Sequence, residues 1–482
     1  MKHVLLLALI TATIKVTAQS PQFYKTYGTP TAVDFGQSVC QTKDGGYIAS
    51  GRSTHFNQGS EDVYLIKTDA KGDTLWSEQL GCGGDCYGYT VRLAPDGGYL
   101  VSGHTDCWGH GDCDGLFFKT DSLGKITWMT TYGTALSEIT SSFSFTNDKG
   151  YILIGYHGAI SDSTGQVYLV KSDINGDTLW TKYYGTQASS LGYSVCQTAD
   201  TGYVFTGYNT NYGPGRADII LGKTDAKGNL KWWKTFGGDS DDVAYSMQIT
   251  KDGGYILAGY TCSLGAGSDD GYVIRTDAEG NQLWAKTYGG PKQDRFNHIE
   301  LTNDGGYIMS GMTKSFGAGG ADIYVVKIDS LGNQQWMQTY GDTADQVNGS
   351  IKQCADSGYI IVGSSSDNCQ PTGNYNVLLV KTDKNGVVVT SVSNIQETMF
   401  SINPYPNPFS QAATFPIPDK LQSKLVSLVI YDINGKEILN HTNIINTSAV
   451  QLPRNGLAQG MYLYEFHQED RIVATGKIVV QN

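Results

Sequence analysis

Asp44-Gly45-Gly46-Tyr47-Ile48-Ala49-Ser50-Gly51 decides the fold, because its frame returns at a fixed interval along the chain. Tyr47, Tyr99, Tyr151, Tyr203, Tyr255, Tyr307 and Tyr359 stand 52 residues apart; each follows a glycine, with Asp three residues before it and Gly four residues after it. Seven occurrences without exception define a repeat protein, and internal periodicity of this length is the signature of stacked or radial modules. A second landmark keeps the same period: Trp76, Trp128, Trp180, Trp232, Trp284 and Trp336, each followed after four residues by Leu80, Tyr132, Tyr184, Phe236, Tyr288 or Tyr340 and then by glycine. Between the landmarks lie runs such as 62–69, whose apolar stretch bounded by turn residues reads as a strand. Each unit therefore supplies four short strands, which is the blade of a β-propeller. No segment sustains a 3.6-residue period, so helical solenoids are excluded.

The recurring residues have physical tasks. Asp and Gly build the first hairpin turn through a side-chain acceptor and a permissive φ. The glycine four past each Tyr is expected where blades crowd near the axis, and the Trp where diverging blades leave a gap that a large ring fills. The seventh unit runs through Tyr359 and Lys381-Thr382-Asp383 but has no Trp and no aromatic-Gly ending. Gln22-Phe23-Tyr24-Lys25-Thr26-Tyr27-Gly28 matches that missing ending, with Phe23 at the Trp position. We expect an all-β chain: a seven-bladed β-propeller over 19–390 closed by its N-terminal strand, a linker at 391–399, and a small β-sandwich over 400–482.

The consensus Asp-x-Tyr-x-x-Lys-Thr-Asp-x-x-Gly-x-x-x-Trp-x-x-x-Tyr-Gly resembles bacterial β-propeller repeats of secreted and surface proteins, whose functions are mostly unassigned. After the repeats the grammar changes to Pro406-Asn407-Pro408-Phe409, Asp432 with Gly435-Lys436, Gly460-Met461-Tyr462 and Lys477-Ile478-Val479. This segment resembles the type A C-terminal sorting domain of type IX secretion substrates in the Bacteroidetes, with Met461 where Ile or Val is usual. The resemblance implies the type IX machinery as partner of 400–482, export across the outer membrane, and a secreted or surface-attached product.

The 482 residues carry 34 Lys plus Arg against 46 Asp plus Glu, a net charge of −12, which argues against a nucleic-acid partner. Lys2 and His3 precede an apolar run from Val4 to Ile14, and small residues end at Ala18, so a signal peptide over 1–18 cut before Gln19 is expected. The run is too short for a transmembrane segment. Nine cysteines fit an oxidising destination, and the odd count leaves at least one unpaired.

A residue present in every repeat belongs to the scaffold, so departures from the pattern are the candidate sites. The second repeat has Gly81-Cys82-Gly83-Gly84-Asp85-Cys86 in one loop and His104 to Asp114 in the other, the latter with His104, Cys107, His110 and Cys113 at every third residue. That spacing invites a zinc reading; in an exported chain, disulfides among Cys82, Cys86, Cys107 and Cys113 take precedence, and three pairings are open, Cys82–Cys86 with Cys107–Cys113 being the simplest. Ligand-binding candidates are His104, Asp106, Trp108, His110, Asp112 and Asp114, with Trp108 expected exposed and able to stack on a sugar. The sequence contains no Gly-x-Ser-x-Gly, His-Glu-x-x-His or phosphate loop. No metal, cofactor or catalytic residue is assigned. The expected function is a glycan- or protein-binding module, the alternative a carbohydrate-active hydrolase or lyase on the same scaffold with paired carboxylates at the propeller mouth.

Overall fold

The two middle strands of each repeat are apolar on both faces, as in Tyr47–Ser53 and Asp62–Thr68, where nearly every residue is buried. Such strands need cover on both sides, and neighbouring sheets supply it. The computed structural model describes residues 22–29, 32–54, 60–159, 164–185, 189–366, 374–388, 400, 402–422, 424–433, 436–445, 447–468 and 471–482. The expected leader with Ala18 and Gln19, the 391–399 linker, Cys369 and Gly435 lie outside the described residues. The chain divides into two compact units, Met1–Val389 and Thr390–Asn482.

In the first unit the described residues form seven four-stranded antiparallel sheets. The first contains Asp34–Gln41, Tyr47–Ser53, Asp62–Thr68 and Thr74–Leu80 in that order, and the next five repeat this arrangement, beginning at Cys86, Ser137, Ser190, Asp242 and Asp294. The seventh is assembled from both ends of the unit, in the order Phe23–Tyr27, Tyr375–Thr382, Tyr359–Ser366, Gln346–Gln353. Its outer pair runs in full register from Phe23 opposite Lys381 to Tyr27 opposite Val377.

The repeat's Asp and its basic residue form one ion pair in every sheet: Asp44–Lys67, Asp96–Lys119, Asp148–Lys171, Asp200–Lys223, Asp252–Arg275, Asp304–Lys327 and Asp356–Lys381, at 2.5–2.9 Å. Partial burial raises the Asp44 carboxyl, but hydrogen bonds from the Thr42 hydroxyl and the Lys67 ammonium outweigh it and hold it at about 2. In the seventh sheet the pair is closed off from water, Lys381 at 0% and Asp356 at 3% side-chain exposure.

Each outer-strand Trp reaches into the following sheet. Trp76 lies 5.9 Å from Tyr99, Trp180 5.7 Å from Tyr203 and Trp336 5.8 Å from Tyr359, ring centre to ring centre. The same rings press on positive-φ turn glycines: a Cβ on Gly124 would stand 2.9 Å from Trp76, and one on Gly386 2.7 Å from Trp336. The Tyr four residues after the Trp donates its hydroxyl to that glycine's carbonyl in the next sheet, as Tyr132 does to Gly176 and Tyr340 to Gly386, each at 2.6 Å. Phe23 and Tyr27 make the equivalent contacts on the first sheet, with Phe23 5.7 Å from Tyr47, close against Gly72, and the Tyr27 hydroxyl 2.6 Å from the Gly72 carbonyl.

The glycine four past the repeat's Tyr meets its own sheet, not the crowding between blades that its place near the axis suggested. A Cβ on Gly51 would meet the Phe35 carbonyl oxygen at 1.7 Å, and one on Gly207 that of Leu191 at 1.8 Å, on the paired strand of the same sheet. These glycines therefore admit a backbone kink within a sheet; crowding between sheets is not the cause.

The second unit holds a two-stranded sheet, Ala412–Pro416 with Ala449–Pro453, and a four-stranded sheet in the order Glu437–Ile444, Val426–Tyr431, Gly460–Gln468, Arg471–Val480. Phe409, Phe415, Ile430, Tyr464, Phe466 and Ile478 are buried in one core between them. The sorting-motif residues hold its ends together. The Asn407 amide donates to the Lys477 carbonyl at 2.9 Å and accepts from the Val479 N–H at 2.8 Å, Tyr462 donates its hydroxyl to the Ala458 carbonyl, and the Lys436 N–H closes a turn on Asp432. Pro406 and Pro408 flank Asn407, while Gly460 opens the strand that carries Tyr462.

Candidate functional site

The first strand of all seven sheets carries a β-bulge at the same place: between Gly36 and Ser38, Gly88 and Thr90, Thr140 and Ser142, Gly192 and Ser194, Ala244 and Ser246, Phe296 and His298, and Asn348 and Ser350. A bulge leaves one residue unpaired and re-aims its side chain. The residues so freed are Gln37, Tyr89, Ser141, Tyr193, Tyr245, Asn297 and Gly349, and all seven line one cavity of about 600 Å³. Since every first strand contributes, the cavity lies where the seven first strands converge.

Two further rings adjoin these residues, and all of their members except Cys40 and Glu300 line the cavity. The residue after the bulge is a hydroxyl in six sheets and His298 in the other, and these side chains tie neighbouring first strands together. Thr90 donates to the Ser141 carbonyl at 3.2 Å, and Ser246 and Ser350 accept from the backbone N–H groups of Ile299 and Val39 at 3.2 and 3.1 Å. Two residues further on, the series runs Cys40, Arg92, Ser144, Cys196, Gln248, Glu300 and Lys352. Lys352 pairs with Glu300 at 2.5 Å, and the Gln248 amide donates to the same carboxylate at 3.4 Å.

Burial, aided by the charges of Lys352 and Arg92, holds the His298 imidazole well below its usual value, so it is neutral at physiological pH. Burial likewise raises the Cys196 thiol and the Tyr193 phenol. The site thus offers hydroxyls, amides, three tyrosines and two cations; its lining residues include no Asp or Glu.

The loops of the second repeat are arranged differently from expectation. The disulfide joins Cys82 to Cys107, with Cα atoms 6.2 Å apart, and the simplest pairing of the sequence reading is not formed. Strand register brings the two loops together, since Cys86 lies opposite Thr105, two residues before Cys107. The Cys86 sulfur stands 3.4 Å from that of Cys82 and 3.8 Å from that of Cys107, within one three-sulfur cluster, and Cys113 is a buried thiol outside it. Burial pushes the Cys86 thiol up to about 11, which keeps it protonated and a poor nucleophile towards the adjacent bond. Peptide mapping without reductant should recover Cys82 linked to Cys107 in the native chain and in Cys86→Ser. In Cys107→Ser it should recover Cys82 linked to Cys86; a native Cys107–Cys113 link would contradict this arrangement.

The other candidates of that region separate. His104 is buried on its strand against Tyr87, 4.4 Å between ring centres, and burial lowers it to about 4. Asp114 is buried and accepts from the backbone N–H groups of His110 and Gly111 at 3.0 Å, as Asp218 does from Gly215 and Asp270 from Gly267, so it caps a turn shared by several repeats. Trp108 is half-buried against the apolar cluster of Val63 and Leu116, correcting its expected exposure. Asp106, His110 and Asp112 are exposed. None of these six lines the large cavity.

Residues 403–481 match the family model described as the secretion system C-terminal sorting domain. Among curated proteins the chain is similar to the regulatory protein FlaEY of Caulobacter vibrioides, 25% identical over 181 residues, which is 32% of this chain and 19% of that protein. The chain therefore spans about a fifth of the length of the curated relative it matches. Among solved structures it is similar to PorZ, a surface component of the type IX secretion system of Porphyromonas gingivalis, at 13% identity and a TM-score of 0.39, over 91% of this chain and 58% of that one. It is also similar to the Pan2 WD40 domain of Neurospora crassa, at 11% identity and a TM-score of 0.45, over 78% of this chain and 99% of that one.

The C-terminal segment is thus a type IX secretion sorting domain, and the chain that carries it is exported across the outer membrane to the cell surface or the extracellular space. Among the described residues no helix is long and apolar enough to cross a membrane.

Proposed function

We propose that residues 19–390 form a seven-bladed propeller closed by the N-terminal strand, delivered to the cell exterior by residues 400–482, and that it binds a glycan in the cavity at its axis. Closure is supported by the Phe23–Lys381 register and by contacts across the seventh and first sheets that repeat elsewhere. The Gln41 side chain accepts from the Ala355 N–H at 2.9 Å, as Gln353 does from Asn303.

The observation that carries the glycan reading is the cavity lining, in which a ring of short hydroxyls adjoins Tyr89, Tyr193 and Tyr245. Sugars present hydroxyls that need partners and C–H faces that rest on aromatic rings, and concave sites that combine the two are suited to them. A lining without carboxylates gives the two-carboxylate hydrolase alternative no acid–base pair in this cavity.

The test is a glycan array probed with the full mature chain, followed by titration of any hit. Tyr245→Ala should weaken binding about tenfold or more, the scale of one lost aromatic contact. A chain that binds peptides and no glycan, or hits untouched by Tyr245→Ala, would rule the reading out.

A further inference from the structure

The arginines of the first unit differ in one respect. Arg52 pairs with Glu61, Arg216 with Asp241, Arg275 with Asp252 and Arg295 with Asp269. Arg92 has no carboxylate partner among the described residues; its guanidinium lies 5.6 Å from the centre of the Phe143 ring, and its buried Nε has no hydrogen-bond acceptor. It lines the large cavity, as does Lys352, whose charge is already matched by Glu300. Two cations against one carboxylate leave this end of the cavity with a net positive charge, in a chain whose net charge is −12. His298, facing the same charges, is neutral and adds nothing to it.

A guanidinium withdrawn from bulk water without a counter-charge is costly, and oxyanions that present two oxygens to its forked N–H donors are the partners it holds best. From this we infer that the glycan of the proposed function is anionic, and that Arg92 receives its carboxylate or sulfate group while the hydroxyl ring and tyrosines hold the sugar. The inference rests on the axial-cavity reading and adds a charge requirement to it. The specificity it implies is for uronate-containing or sulfated glycans over neutral ones.

The experiment titrates the full mature chain with three probes of equal length, a galacturonic acid tetrasaccharide, a sulfated galactotetraose and neutral galactotetraose, and separately follows melting with inorganic sulfate. The native chain should prefer a charged probe, with affinity falling as salt rises. Arg92→Gln should lose about ten- to a hundredfold of that affinity, the range for a charged hydrogen bond, so that the preference for charged over neutral probes collapses; Arg92→Lys should recover part of it. Sulfate should raise the melting temperature of the native chain and not of Arg92→Gln. If neutral and charged probes bind alike and Arg92→Gln has no effect, the charge requirement is wrong and the glycan reading survives. If no oligosaccharide binds yet sulfate stabilises through Arg92, the anion pole stands and the glycan reading falls. If neither occurs, both fall.

Discussion

A chain lacking residues 19–28 is expected to melt far below the intact protein, although the cut removes no complete repeat. Five residues, Phe23 to Tyr27, form the outer strand of the seventh sheet, paired along their whole length with Val377 to Lys381. Their loss leaves an open sheet edge, with unpaired N–H and C=O groups facing water or another chain. It also empties the place where Phe23, 5% exposed, packs on Tyr47 and Gly72 and where the Tyr27 hydroxyl reaches the Gly72 carbonyl. The Phe23→Ala replacement alone should cost about 3–5 kcal/mol, the usual range for truncating a buried aromatic. Calorimetry of the purified truncated and point variants measures this directly. Unchanged melting after truncation would mean that the two ends do not support one another and would sink the closed-ring proposal.

Removing residues 400–482 should abolish delivery, leaving the protein in the periplasm and none at the surface or in the medium. The matched sorting domain spans 403–481, so this cut takes all of it and nothing of the seven sheets. A gentler variant probes the same point. Asn407 joins the Pro-Asn-Pro segment to the last strand through Lys477 and Val479, and Asn407→Ala removes both bonds, at about 0.5–1.5 kcal/mol each. Fractionation with surface protease digestion reads the outcome. Undiminished surface protein from the truncated chain would show that another segment directs export.

Much of the architecture was legible because repetition amplifies weak signals. A single Asp-x-Gly-Tyr says little, while seven at one interval locate every hairpin, and a lone Phe23 in a Trp frame marks the displaced strand. The cavity was not legible for a physical reason. Whether Tyr193 or Asn297 faces inward depends on one extra residue in its strand, a register effect that alternation alone cannot reveal. The usable sign was variability within regularity: positions 37, 40 and their counterparts change from repeat to repeat, while between them position 38 is a hydroxyl in six repeats and position 39 is apolar in all seven. Departures in loops are conspicuous through length and cysteines, which makes the second repeat stand out over the inner strands. The Cys82–Cys107 link was hidden likewise, since proximity along the chain favoured Cys86 as the partner of Cys82, whereas strand pairing brings Cys107 to the same place.

The shared seventh sheet also imposes an order in time. The segment made first has its partner among the last residues of the unit, Phe23 awaiting Lys381, so more than three hundred residues must emerge before the earliest strand finds a home. Joining such distant points is the slow kind of folding event, because the entropy of bringing them together is spent before any contact rewards it. Until then Phe23–Tyr27 has no partner strand. During biogenesis, the interval between synthesis of the first and last strands is therefore the period in which this protein is most exposed to proteases, to pairing with a second chain, and to any holding factor that the cell supplies.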